Sequence, residues 1–478
     1  MKQHLTILQI NDLHGYMEPH PELVRSGEGD RFQTLGGLAR IATAVAQVRA
    51  ETEGATLLLD NGDTFHGTYV AVQSKGEAMV PLMNALAPEA MTVHWEFAYG
   101  PSQVQRLAHQ LTYPILAINC YRNEGGLFFE PYRMIDKGGL RVAIIGIACN
   151  IVDKTMPPAF SEGLHFTLGR DELPSWITHV REHEEADLVV VLSHLGFPQD
   201  VKLASEVGGI DVLVSGHTHN RMESPVIENG AIIFQSGCHG SFLGRLDLEI
   251  EDGGITAHRH RLIVIDERFA PDPEVEEQVD AAMAPHRAML SEVVGHTGHP
   301  LSRYQSLHCS MDDLLLDAIA SAAGTGIAFS NGWRYGAPVP PGPITLNDLW
   351  NMIPTNPPVE TVELTGAEIR TMLEENLERT FSANPYEQMG GYVKRCRGVR
   401  LYAKIENPPG SRVDRLFVLD APVDPEGIYT VAFVTAQGVP RQFGRNRKAV
   451  GMHAIDALQQ YLQHAAAQAR DAPSVIAV

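Results

Sequence analysis

Through the first 265 residues, short apolar runs alternate with longer amphipathic stretches. The runs are LTILQI (5–10), TLLLDNGD (56–63), PILAINC (114–120), RVAIIGIA (141–148), DLVVVLSH (187–194), DVLVSGHTH (211–219) and AIIFQSG (231–237). Between them lie stretches with helical spacing, such as GGLARIATAVAQVRAE (36–51) and LPSWITHVREHEEA (173–186). Runs this apolar read as strands buried on both faces, and helices between them predict an α/β domain. Most runs end in glycine or polar residues, and the C-terminal ends of such strands are where open α/β sheets place their sites.

Near residue 265 the pattern changes. The segment 266–295 is charged and helical in period, with Pro271 and Pro273 at its start, and predicts a linker helix. From 296 onward a second domain opens on the apolar helix MDDLLLDAIASAAG. Proline-rich connections follow, then a helix GAEIRTMLEENLERTF and late strands GVRLYAKI, RLFVLD and YTVAFV. No internal repeat or low-complexity segment interrupts this order.

Composition narrows the picture. A chain of 478 residues is too long for one comfortable core, so two domains are expected. The net charge of −21 argues against a nucleic-acid partner, though a small anion can still bind where metals or arginines reverse the local field. Five scattered cysteines with no CxxC pair give no disulfide framework or zinc ribbon. No apolar stretch is long enough to span a membrane, so no membrane partner is expected. The N-terminus runs straight into a strand with no leader in view. That places the chain in the cytoplasm as the sequence stands, or in the periplasm if an export signal has been removed.

The strand ends carry the chemistry: NDLHG (Asp12, His14), DNGDTFHG (Asp63), LSHLG (His194) and SGHTHN (His217, His219). A parallel sheet brings all of them to one edge. Three or more imidazoles with two carboxylates are a ligand set for manganese, zinc, iron or cobalt. Any one of these histidines could be a satisfied core residue; the four motifs together, each at a strand end, point to a metal centre.

In this order the motifs resemble the binuclear calcineurin-like metallophosphoesterases. The flanks GGLARIA, YPILAIN and FLGRLDLEI, with PITLNDLWNMIPTNPPVETVELTGAEI in the second half, resemble the 5'-nucleotidase family. The resemblance implies a four-layer α/β/β/α metallophosphoesterase domain (1–265), the linker helix (266–295) and a smaller α/β C-terminal substrate-recognition domain (296–478). It implies two divalent metals, manganese or zinc foremost. Asp12, His14 and His219 would hold one, His194 and His217 the other, with Asp63 bridging. The implied reaction is phosphate release from nucleotides by attack of a metal-bridging hydroxide.

One segment departs from the family pattern. The loop that normally reads Gly-Asn-His-Glu-Phe-Asp-Tyr-Gly, supplying a metal-ligating Asn and a catalytic His, here reads VHWEFAYG. Anchoring on Glu96, Phe97, Tyr99 and Gly100 puts His94 at the Asn position, as a further metal ligand, and Trp95 at the His position. A second register makes His94 the catalytic histidine and leaves Val93 where the ligand belongs. In either register His94 and Asp63 are the expected catalytic residues. Indole donates but does not titrate, so proton transfer from Trp95 is ruled out. This variant loop resembles the thiosulfohydrolases of bacterial sulfur oxidation, as do FSNGWRYG and NPYEQMGG. Two rivals to a nucleotidase therefore stand: a sulfur-ester hydrolase, and a degenerate nucleoside- or anion-binding protein without turnover.

In the second domain the resemblance implies an anion contact from Arg334, a guanidinium suited to phosphate or sulfate. Trp333 is a candidate to line the site, and Tyr392 and Phe443 are candidates for a base clamp. The stretch GHTGHPLSRYQSLHC (295–309), with Arg303, reads as a solvated connection.

Overall fold

The alternation of buried side chains explains the architecture. In the strand Leu188–Ser193, Leu188, Val190 and Leu192 join one apolar core while Val189 and Val191 join another. In Leu140–Ile147, Val142 and Ile144 face the first core, and Ala143, Ile145 and Ile147 the second. A strand with period-two side chains and both faces apolar has to lie between two layers.

This computed structural model describes residues 2–27, 29–467, 470 and 473–478. The chain divides into two units, Met1–Val24 with Gln33–Pro285 and Arg25–Phe32 with His286–Val478. In the first unit two sheets share the inner core. One has strand order Gly254–Val264, Phe242–Glu251, Gln3–Ile10, Thr56–Asp60, Ala90–Met91. The other runs Val226–Glu228, Ala231–Phe234, Val212–Ser215, Leu188–Ser193, Leu140–Ile147, Tyr132–Lys137. The strands that carry motifs pair in parallel within each sheet. Helices Leu173–Glu182 and Phe197–Glu206 cover the outer face of the second sheet, and Leu38–Glu51 lies against the first, which completes the α/β/β/α order.

The segment 114–120, read from sequence as a strand, is mostly irregular. Consecutive amides of Leu116, Ala117 and Ile118 donate to the carbonyls of Met91, Glu130 and Gly146 (2.8, 2.9 and 2.9 Å). A stretch that gives each N–H to a different neighbour crosses between elements and cannot form a ladder. Its apolar content reflects burial alone.

The segment 266–295 holds two helices, Pro273–Met283 and Arg287–Leu290, with Pro285 between them. Asp272 caps the first, its carboxylate accepting from the amides of Glu274 and Val275, and Pro273 occupies the first turn, where no N–H is needed. Val275 and Val279 are buried, and the helix packs on Leu38–Glu51. This half of the segment belongs to the first unit, whose boundary falls at Pro285.

The second unit centres on a five-stranded sheet ordered Tyr392–Arg397, Ile327–Gly332, Ile428–Val434, Pro358–Thr365, Arg445–His453. A smaller sheet contains Val413–Val418 and Val399–Ala403. Helix Gly366–Phe381 starts with a capping box between Thr365 and Glu368 and buries Ile369, Met372, Leu373 and Leu377 in the core between the sheets.

Candidate dimetal site

Each motif residue follows directly from a strand end. Asp12 and His14 follow Gln3–Ile10, Asp63 follows Thr56–Asp60, His194 follows Leu188–Ser193, and His217 and His219 follow Val212–Ser215. His94 lies beyond the short strand Ala90–Met91, just before the 3-10 turn Trp95–Tyr99. Buried polar side chains fix these ends to one another. Gln9 Nε2 donates to Asn61 Oδ1 and to the Ser215 carbonyl, both at 2.7 Å, and Asn61 Nδ2 donates to the carbonyls of Ser193 and Val214 at 2.9 Å. Asp200 accepts from the hydroxyls of Ser193 and Ser215 at 2.6 Å. Burial raises the Asp200 carboxyl to about 7, against the pull of those two hydroxyls.

The backbone of the site is strained. Asp12, His14, Asp63, His217 and His219 all have φ between 47° and 70°, a region that non-glycine residues visit rarely. Five such residues at five strand-end positions mark the loops as shaped for convergence of side chains. Gly62 and Gly67 allow the close approach. A Cβ at Gly62 would lie 2.5 Å from the Thr92 carbonyl oxygen, and one at Gly67 2.5 Å from that of His14.

The result is two overlapping groups of ligand atoms. One atom each from Asp63, His94, His194 and His217 lies within 4.8 Å of the others, and the same holds for Asp12, His14, Asp63 and His219. Asp63 is shared. All seven sequence-selected residues therefore meet at one place. His14 Nε2 faces His219 Nε2 at 3.2 Å. His194 Nε2 lies 3.2 Å from Asp63 Oδ2 and 3.6 Å from Asp12 Oδ1 without reaching hydrogen-bond geometry with either. Converging buried nitrogens and carboxylate oxygens of this kind are what a pair of divalent cations requires. The donor set fits the metals.

Electrostatics follow the same arrangement. Burial pushes the Asp63 carboxyl up, but His94 and His194 more than offset it and hold it well below the usual range. Burial lowers His94, yet Asp63 and the Cys149 thiol outweigh it and the net shift is upward. His14 falls to about 4, through burial first, with Asp63 opposing and His219 adding. The Cys238 thiol lies beside His219 as Cys149 does beside His94, and all five cysteines are free and buried.

Several contributors have contacts that the sequence does not assign. Glu96, 1% exposed, accepts from the amides of Thr64 (2.7 Å), Phe65 (3.3 Å) and His94 (2.8 Å), so it braces the Asp63 loop and the His94 loop together. The Trp95 amide donates to Asp63 Oδ1 at 2.7 Å, and His94 Nδ1 is 3.2 Å from Asp63 Oδ2. Val93 is buried, and its carbonyl accepts from the Cys149 amide at 3.1 Å. His66 stacks on Trp95 with ring centroids 4.8 Å apart and planes 20° apart. Burial, with His14 adding and Asp63 opposing, lowers His66 to about 3.

In the second unit the expected substrate residues separate. Arg334 Nη2 donates to the Gly391 carbonyl at 3.0 Å, and its guanidinium lies 5.0 Å from the Tyr392 ring centroid. Arg395 approaches the same ring at 5.6 Å. Trp333 is buried, its indole N–H without a partner among the described residues. Phe443 belongs to the apolar core between the two sheets. Arg303, expected on a solvated connection, is instead fully buried. Its Nε donates to Asp312 at 3.0 Å and its Nη1 to the carbonyls of Tyr335 (3.0 Å) and Met352 (2.6 Å), which is what makes burial of the charge tolerable.

Comparison with known proteins agrees with this geometry. The calcineurin-like phosphoesterase family profile matches residues 5–221, and that of the 5'-nucleotidase C-terminal domain matches residues 293–435. The chain joins a calcineurin-like phosphoesterase domain to a 5'-nucleotidase C-terminal domain. A trifunctional nucleotide phosphoesterase protein of Bacillus subtilis is 26% identical over 86% of this chain, which spans only 30% of that protein. Snake venom 5'-nucleotidase of Naja atra is 26% identical over 87% of this chain and 84% of its own length. Among solved structures, a sulfate thiohydrolase of Thermus thermophilus superposes with TM-score 0.91 at 27% identity, covering 99% of this chain and 96% of that one. A 5'-nucleotidase precursor of Thermus thermophilus gives 0.86 at 24% identity, covering 99% of each chain, and shares the fold. The domain pair makes this a metal-dependent phosphoric ester hydrolase, and its first domain implies a two-metal centre. No described helix is long and apolar enough to cross a membrane.

Proposed function

We propose that the chain releases phosphate from nucleoside monophosphates at the cluster built on Asp63. The observation that carries this reading is the pair of four-residue groups sharing that one carboxylate. Asp12, His14 and His219 are assigned to one cation and His94, His194 and His217 to the other, manganese or zinc foremost. Bound there, two cations would supply Lewis-acid polarisation of the phosphoryl oxygens and a lowered pKa for water. The chain's own part is to fix the ligands. Glu96 and the Trp95 amide hold the Asp63 loop, and the Gln9–Asn61 network holds the strand ends. His94 and Asp63 stand nearest the chemistry. Arg334, as a bidentate donor, and Trp333, through its indole N–H, are assigned to the substrate anion.

A second reading rests on the loop. Trp95 supplies no titrating group, and the structural neighbour with TM-score 0.91 is a sulfate thiohydrolase. Tyr392 lies against two guanidiniums and Phe443 is in the core, so the base clamp expected of a nucleotidase gains no support from either ring. A sulfur-ester substrate fits these features.

One assay separates the readings. The manganese-loaded protein is offered nucleoside monophosphates, p-nitrophenyl phosphate, a thiosulfonate and a sulfate ester. Phosphate release that disappears in His217→Ala supports the nucleotidase reading. Sulfate release alone moves the assignment to the sulfur ester, and turnover of none of these leaves the ligand-binding reading.

A further inference from the structure

Phosphoester cleavage is assisted by a hydrogen-bond donor at the ester oxygen, and the side chain beside His94 cannot cycle a proton. The residue packed on that side chain is His66. Its ring stacks on Trp95 at 4.8 Å and meets Tyr99 at 5.6 Å. Its carbonyl accepts from His14 Nδ1 at 3.2 Å. The surrounding loop is over-determined: the Tyr99 hydroxyl donates to the Phe65 and Ala71 carbonyls (2.9 and 3.1 Å), and Glu96 gathers the amides of Thr64 and Phe65.

A ring that only filled the stack would need no nitrogen. His66 is 2% exposed, and its Nδ1 is buried with no hydrogen-bond partner among the described residues. Burying an unpaired polar atom is destabilising, a penalty that phenylalanine at this position would avoid. A sealed, unpartnered Nδ1 is tolerated better as a bare acceptor than as an N–H, which leaves the proton on Nε2.

We propose that His66, held by Trp95, donates an Nε2–H hydrogen bond to the anionic ester group of the substrate. The proposal rests on the reading of the Asp63 cluster as a hydrolytic centre. The Nε2–H polarises the ester oxygen without transferring its proton, and Trp95 acts as its positioning residue.

Three measurements on the intact chain test it. His66→Phe keeps the stack and removes both nitrogens. Its kcat on p-nitrophenyl phosphate and on a nucleoside monophosphate is expected to fall about a hundredfold, with metal content unchanged and the thermal midpoint no lower than in the wild type. The loss is larger for the nucleoside ester, whose leaving oxygen is the poorer one, and His66→Gln, which keeps a donor, recovers part of it. Independently of turnover, nitrogen NMR of the manganese-free protein and of a diamagnetic zinc-loaded sample should show the Nε2–H tautomer. Inorganic phosphate or sulfate added to the zinc-loaded sample should shift that resonance. His66→Phe with kcat within about threefold of wild type overturns the proposal. So does an Nδ1–H tautomer, or a resonance unmoved by either anion. If the wild type hydrolyses no phosphoester but the resonance moves with sulfate or phosphate, the nucleotidase reading fails and the role of His66 as anion donor stands.

Discussion

Each unit buries a cluster of charged side chains, and the two clusters are built on opposite principles. In the second unit Asp312 sits between two guanidiniums, Arg303 and Arg395, each at 3.0 Å. Arg395 also donates to the carbonyls of Ser306 and Gln305 (3.0 and 2.9 Å). Donors there meet acceptors, and none of the three residues has positive φ. In the first unit imidazole nitrogens face one another, a carboxylate is shared by two groups, and five of the seven residues are held in the left-handed region. Charge closed on itself is a structural device. Charge left converging, on backbone that costs energy to hold, is a ligand site.

The comparison can be broken most directly at its two carboxylates. Asp63→Asn should lower phosphate release about a thousandfold or more and release metal from both positions, as assay and elemental analysis would show. Retention of both metals with normal turnover would remove the shared carboxylate from the centre. Asp312→Ala should do the reverse. It strands two buried guanidiniums, and urea titration should find stability lowered by about 3–5 kcal/mol, with metal binding intact in the protein that remains folded.

Arg334→Ala gives a finer test. If this residue contacts the substrate anion, KM rises about tenfold while kcat and the urea midpoint hold. A fall in stability with unchanged KM would place it with Arg303 as a structural charge.

The smallest effect concerns Lys394, whose ammonium donates to the carbonyls of Gln437 and Gly438 (2.6 and 2.8 Å) inside the second unit. Burial lowers it from 10.5 to about 8. Between those values the unfolded chain binds the proton and the folded chain releases it, so stability rises with pH across that window. Denaturation midpoints from pH 8 to 10 should show a rise that Lys394→Met abolishes.

The metal cluster was legible because its residues obey a local rule: polar side chains at the ends of buried parallel strands. Asp12, His14, Asp63, His194, His217 and His219 all follow it, and the loop anchors Glu96, Phe97, Tyr99 and Gly100 brought in His94. Other residues follow no such rule. Arg303 looks solvent-bound until Asp312 and two carbonyls are seen around it. Segment 114–120 has the apolar content of a strand but gives its amides to three different neighbours. Phe443 has the composition of a clamp and the surroundings of a core residue.

The sequence by itself determined the α/β pattern, the two-unit order and the set of strand-end residues that converge, because periodicity and strand-end chemistry are properties of neighbouring residues. Only the tertiary structure decided that Glu96 braces two loops and that His66 lies against Trp95. Those contacts join loops distant in the chain, as Thr64 and Glu96 are at 32 residues apart. No local preference records which side chains a sheet edge brings together.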